Sequence, residues 1–296
     1  MKDYFDKLQQ KYNYDDKMIL ILKKIIIELA DYYGRENLKP IFDNIFKTEI
    51  HIRKPGEDPN EYISKSLGIK DEYITSERVD GYVTTRPYLL NGEIHSKSII
   101  YLFNDLDSNN PLTWVTLVHE LCHLIKRRDF LLKDDHYYTI SGFQSEYYDL
   151  NGKLIGRHFE SLEETTTSYD EKHIMNSLLK SNDYKLLSTY VIAEEYWEKI
   201  IEIMNNSING FEISLRRKGK HYAEEIFGPW GLTLLDNLFE KCITVFTKEL
   251  DNEDKFMGEM LYDFKLIQKT LNDLFVNYKR VNDNDLSEEE KKFYGI

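Results

Sequence analysis

The stretch that decides the fold is "TWVTLVHELCHLIK", Thr113 to Lys126. Two histidines stand four apart, with Glu120 directly after the first and Cys122 directly before the second. On a helix, residues four apart share a face, with Cβ atoms roughly 5–6 Å apart. His119 and His123 can therefore hold one metal ion between them, and imidazole nitrogen suits zinc. Glu120 lies about 100° further round, at the edge of the same face. That is too far round for the natural third ligand, but near enough to reach a water on the metal. Zinc lowers the pKa of such a water to about 7. A carboxylate beside it can take the proton during attack on a carbonyl and return it to the leaving amine. Leu112, Val115, Val118, Leu121, Cys122 and Ile125 make the rest of the helix apolar, so burial is expected. Polar groups on a buried helix are costly without partners. Cys122 points away from the histidine face and reads as a small core residue.

Catalytic zinc usually keeps three protein ligands and one open position. The third must come from elsewhere. Asp129, six residues after His123, is one option, and His136 and His158 are others. The better source is the helix "SLEETTTSYDE", residues 161–171. Its adjacent carboxylates Glu163 and Glu164 lie on different faces. Glu164 shares its face with Glu160, Thr167 and Ser168, whose hydroxyls can orient ligands. Taken alone, this helix reads as a solvated acidic face. The upstream histidine pair needs a carboxylate, and Glu164 is the best placed, with Glu163 next.

Outward from the motif, residues up to about 47 read as helices, with Met18, Leu22, Ile25, Ile26 and Leu29 at helical spacing. Gly34 and Pro40 punctuate them. "TEIHI" is a short strand and "RKPGEDPNEY" a loop. "GYVTTRPYLL" and "EIHSKSIIYLF" flank Asn91-Gly92, the strongest short hairpin signal. Asn110 and Pro111 suit the cap and first position of the motif helix, and Lys126, Arg127 and Arg128 suit its C-terminal end. A second hairpin is expected at Asn151-Gly152, followed by a helix capped by Ser161 with Glu164 at the capping-box position. From about residue 184 the period is helical in "YVIAEEYWEKIIEIM", "GPWGLTLLDNLFEKCITVF" and "EMLYDFKLIQKTLNDLF". The tail "NDNDLSEEEKK" is polar. With no repeat and no low-complexity linker, one unit over 1–296 is expected. It comprises a mostly helical region (1–75), a metal-site core with two hairpins (76–180) and a helical region (181–296).

The 296 residues suffice for a sizeable core, and 41% hydrophobic with 31% charged residues fits a soluble globular protein. A net charge of -13, spread along the chain, argues against a nucleic-acid partner. Two cysteines cannot make a disulfide framework. The opening "MKDYFDKLQQ" is no signal peptide, and "MILILKKIIIELA" is broken by Lys23 and Lys24. A cytoplasmic protein without a membrane partner is the expectation.

"HELCH" matches the HExxH signature of zincin metallopeptidases, and "GF…LNGKLIGRHFESLEETTTSYDE" resembles the Gly-Phe segment, hairpin and Leu-Asn-Glu-x-x-Thr helix of bacterial Glu-type zincins from low-GC Gram-positives. The resemblance covers about residues 95–175. It implies zinc on His119 and His123, Glu120 as general base and, with Leu162, Glu163, Glu164 and Thr167 on the family's pattern, Glu164 as third ligand. Glu163 replaces the family's Asn, and Ser168 stands where an acidic residue often follows the Thr. Lys126 stands where metzincins carry the glycine that would let a residue at Asp129 reach back. Such enzymes take an oxyanion donor from a downstream Tyr or His, here Tyr190, His221 or Tyr222.

The expectation is thus an α+β, zincin-like (gluzincin-like) fold. A small N-terminal sheet would lie over the active-site helix, with a mostly helical C-terminal part as the other wall of the cleft. The expected function is zinc-dependent hydrolysis of a peptide or protein substrate. The alternatives are a zincin-fold metal-binding protein without peptidase activity, or a regulatory protease of one protein partner.

Overall fold

Asp15 starts the first long helix: its carboxylate accepts from the Met18 amide at 2.7 Å. The helix, α2 (Asp16–Tyr33), belongs to a computed structural model that describes residues 2–68, 80–182, 184 and 190–247. Its apolar positions Met18, Leu22, Ile25, Ile26 and Leu29 are buried. The flanking helices α1 (Lys2–Tyr12) and α3 (Leu38–Phe46) add Phe5, Leu8, Ile41 and Ile45 to the same core. β1 follows as Thr48–Ile52, the expected "TEIHI". The expected loop after it contains a helix, α4 (Pro59–Leu67). Asp58 accepts from the amides of Asn60 and Glu61, Pro59 takes the first position, and Gly68 closes the end with a left-handed φ of 66°. Cap, proline and glycine were all in the sequence, but the density of Pro, Gly and charge masked a helix of nine residues.

β2 (Gly81–Leu90) and β3 (Glu93–Leu102) form the expected hairpin. Asn91 and Gly92 both take positive φ, 53° and 83°, as a type I′ turn requires. The sheet order is β1–β3–β2, with β1 parallel and β2 antiparallel to β3. Alternation along β3 serves two layers. Ile100 and Leu102 pack in one core with Leu117, Val118 and Leu121 of the motif helix; Ile99 and Tyr101 meet Ile63 and Leu67 of α4.

The motif helix α5 (Val115–Lys126) is entered through one 3₁₀ turn, Pro111–Trp114. The Asn110 side chain caps it at Leu112 N, and Trp114 Nε1 donates to Asp107 O at 2.7 Å. An antiparallel meander follows: β4 (Leu131–Lys133), β5 (His136–Ser141), β6 (Gln144–Tyr148) and β7 (Leu154–His158). The sequence reading contained only the β6–β7 pair. The β4–β5 turn is Asp134-Asp135, both at positive φ, and aspartate without glycine is a weaker turn signal. The β6–β7 turn spans Asp149 to Lys153 and is longer than a two-residue Asn-Gly turn. Gly152, at φ 81°, cannot be replaced without cost, because a Cβ there would sit 2.4 Å from the Pro87 carbonyl.

α6 (Glu160–Leu179) does not take its cap from Ser161, which lies inside its first turn. Asp236, 74 residues from Leu162, accepts from the Leu162 amide at 2.8 Å instead. A long-range partner of this kind has no local signature. Phe159, just before the helix, adopts a left-handed φ of 63°.

Contacts group the chain into two compact units: Met1–His158 with Thr167–Lys185, and Phe159–Thr166 with Leu186–Ile296. Helix α6 runs through the division, so no linker composition marks it. The described part of the second unit contains α7 (Val191–Ser207), α8 (Phe211–Lys218) and α9 (Lys220–Thr247). Trp197 packs edge-on to Phe239, with centroids 6.1 Å apart. α9 is kinked at Gly228, whose φ of 70° is non-helical and which precedes Pro229. The expected helix at 259–275 and the polar tail lie outside the described residues. Among the described residues no helix is long and apolar enough to cross a membrane.

Candidate metal centre

α6 is the opposite of a solvated acidic face. From Leu162 to Glu171 every residue is buried except Glu164, which is half-buried. Glu163, Thr165, Thr166, Thr167, Ser168, Asp170 and Glu171 are all in the interior. Burying so many polar groups demands partners. Thr165 and Thr166 turn back onto the carbonyls of Ser161 and Glu163. The rest serve α5. Glu171 Oε2 faces His119 Nδ1 at 3.0 Å, and Tyr184 donates to its other oxygen at 2.6 Å. Thr167 Oγ1 lies 3.3 Å from His123 Nδ1 and accepts from Lys126 at 2.6 Å. Asp170 lies 3.6 Å from the Lys126 ammonium and accepts from Tyr32 and Tyr33 at 2.7 and 2.6 Å. Burial, and the charge of Asp170, push the Tyr33 phenol up. Burial and Glu171 do the same to Tyr184. Both phenols therefore stay protonated and remain donors.

These contacts decide which imidazole atoms face the metal position. A carboxylate only accepts, so His119 Nδ1 is the donor to Glu171 and Nε2 is the nitrogen left to face His123. The two Nε2 atoms are 3.2 Å apart. The Thr167 hydroxyl can serve either tautomer of His123. It donates to Nδ1 while Nε2 is protonated, and accepts from Nδ1–H once Nε2 becomes a ligand.

Glu164 offers a possible third donor. Among the described residues, His119, His123 and Glu164 are the one group of three His, Cys, Asp or Glu that could hold a metal ion, with donor atoms within 4.8 Å of one another. A tetrahedral site with bonds of ~2.0–2.1 Å has ligand atoms roughly 3.3 Å apart. The two imidazoles already stand at that separation. The donor set of two nitrogens and one carboxylate suits zinc, and both imidazoles are held from behind as a metal site requires. Glu120 is buried next to His119, at 7% exposure.

The other ligand candidates are not part of this group. Asp129 is exposed beyond the end of α5. His136 is exposed, with Nδ1 at 2.7 Å from its neighbour Asp134 O. His158 is exposed and stands edge-on to Tyr147. Glu163 is fully buried and outside the metal-holding group. Cys122 is in the core, its thiol pushed up by burial and then by Asp170; Cys242 is buried too, and neither forms a disulfide. In the second unit Tyr190 stands just before α7, exposed His221 is 3.4 Å from Glu225, and Tyr222 is buried against Phe211.

Sequence reasoning missed Glu171, Asp170, Tyr32, Tyr33 and Tyr184. The available signal was spacing: Glu164, Thr167 or Ser168, and Glu171 recur three and four apart, one continuous stripe down α6. Glu171→Gln is expected to weaken metal binding about 10–100-fold, as loss of a partner that orients a ligand histidine does. Competition against a metal indicator reads this out, and unchanged affinity would deny Glu171 that role.

No protein-family model, curated protein or solved structure matches this chain.

Proposed function

We propose that this protein is a zinc-dependent metallopeptidase of the Glu-ligand, gluzincin-like kind, acting in the cytoplasm on a peptide or protein substrate. The supporting observation is His119 Nε2, opposite the Nδ1 that donates to Glu171, at 3.2 Å from His123 Nε2 with Glu164 in the same group. Zinc held there supplies a Lewis acid that brings the pKa of a water to about 7. His119, His123 and Glu164 would hold the ion. Glu120, buried at the rim of the same helix face, takes the proton of the attacking water and delivers it to the leaving amine nitrogen. Burial strengthens every charge interaction made there.

The test is metal analysis of the purified chain together with digestion of a peptide library. One zinc per chain and hydrolysis, both lost on chelation and regained with zinc, are expected. Zinc without hydrolysis would reduce the protein to a metal-binding member of this fold, and absence of zinc binding would sink the proposal.

A further inference from the structure

The first unit has a second feature that the metal centre does not use. A cavity of about 560 Å³ lies between α1, α3, the β2–β3 hairpin and the exit of α5. That volume falls in the range of small-molecule sites, roughly 300–1,000 Å³. Its lining is basic in a chain whose net charge is -13. Lys11, Lys47, Lys97, Arg127 and Arg128 line it, against the carboxylates Glu49 and Asp129. Glu49 is committed to Lys97 at 3.7 Å and to the Tyr62 hydroxyl at 2.5 Å. Arg127 is committed to Glu146 at 3.1 Å. Lys11 meets no carboxylate among the described residues. Its ammonium donates to Phe46 O at 2.7 Å and lies over the Phe46 and Tyr12 rings. Lys47 has no side-chain partner among the described residues and is exposed.

Like charges gathered in a concavity repel one another and focus the field outward. Burial, and to a lesser degree the charge of Lys97, hold the Lys11 ammonium below its ordinary range. The C-terminal end of α5 would oppose an anion with its free carbonyls. Asn44 Nδ2 covers one of them, Leu124 O, at 3.1 Å, and the Arg127 carbonyl just beyond the helix at 3.2 Å. Tyr12 and Tyr88 add aromatic walls beside the charges.

We propose that this cavity binds a small multivalent anion, a phosphate- or carboxylate-bearing metabolite held by Lys11, Lys47 and Arg128. Lysine binds such groups as a point charge, with three donors per ammonium. A large acidic partner fits less well, since the chain's overall charge repels it at long range.

The test is calorimetric titration of the full chain with inorganic phosphate and, separately, with succinate, against chloride at matched ionic strength. Saturable binding of one anion per chain is expected. Preference for phosphate would identify a phosphoryl ligand, and preference for succinate a carboxylate one. Lys47→Gln and Arg128→Gln alter exposed side chains and leave the core untouched. Each is expected to weaken binding at least about tenfold, the loss of one charge-assisted contact. Affinity should also fall with added salt. Binding no better than chloride, or both variants binding like the parent, overturns the proposal.

Discussion

Glu120→Gln is expected to leave one zinc per chain and to cut peptide hydrolysis by about 10²–10⁴-fold, the usual worth of a positioned general base. The substitution keeps size and shape and removes only the carboxylate. Glu120 is buried on α5, so its surroundings were built for a side chain of this volume. The ligand nitrogens of His119 and His123 and their supports, Glu171 and Thr167, are untouched. Metal content should therefore hold while turnover falls, with the loss in kcat larger than in KM because the proton moves only in the transition state. Full activity in a zinc-loaded Gln variant would mean that Glu120 is not the base.

The second large effect concerns the third ligand. Glu164→Ala is expected to lose zinc by more than the roughly 10–100-fold typical of an orienting residue, because a direct donor is removed. Hydrolysis should fall with it, and high zinc should restore only part. Glu163→Gln is the matched control. Glu163 is fully buried and outside the metal-holding group. Its loss should be read in denaturant unfolding, at about 1–3 kcal/mol for a disturbed buried polar group, with zinc still bound. The opposite pattern, zinc lost from Glu163→Gln and kept by Glu164→Ala, would transfer the ligand role to Glu163.

Much of the frame was readable in the chain because its signals are local. Asn91-Gly92 between alternating apolar strands specifies a hairpin through backbone φ alone. Asp15, Asn110 and Pro111 cap helices through residues two or three positions away. The α4 helix shows the limit even of local signals, since its cap and proline were buried in a loop-like composition. The short β4–β5 pair shows another, because its turn uses aspartates in place of glycine.

By itself, the amino-acid sequence determined the helix that carries His119, Glu120 and His123, because an interval of four residues and an apolar flank are properties of the chain's own geometry. It also favoured a carboxylate pair on one later helix as the source of a third ligand. Only the tertiary structure decided that α6 is buried and not solvated, that Glu164 and not Glu163 falls in one group with the two imidazoles, and that Glu171 and Thr167 lie against them. Its cap on Asp236 and the basic cavity beside α5 were decided the same way. The reason is common to all of these. Each depends on which faces of distant segments meet, and that is settled by packing and by the pairing of buried polar groups, neither of which has a fixed spacing along the chain.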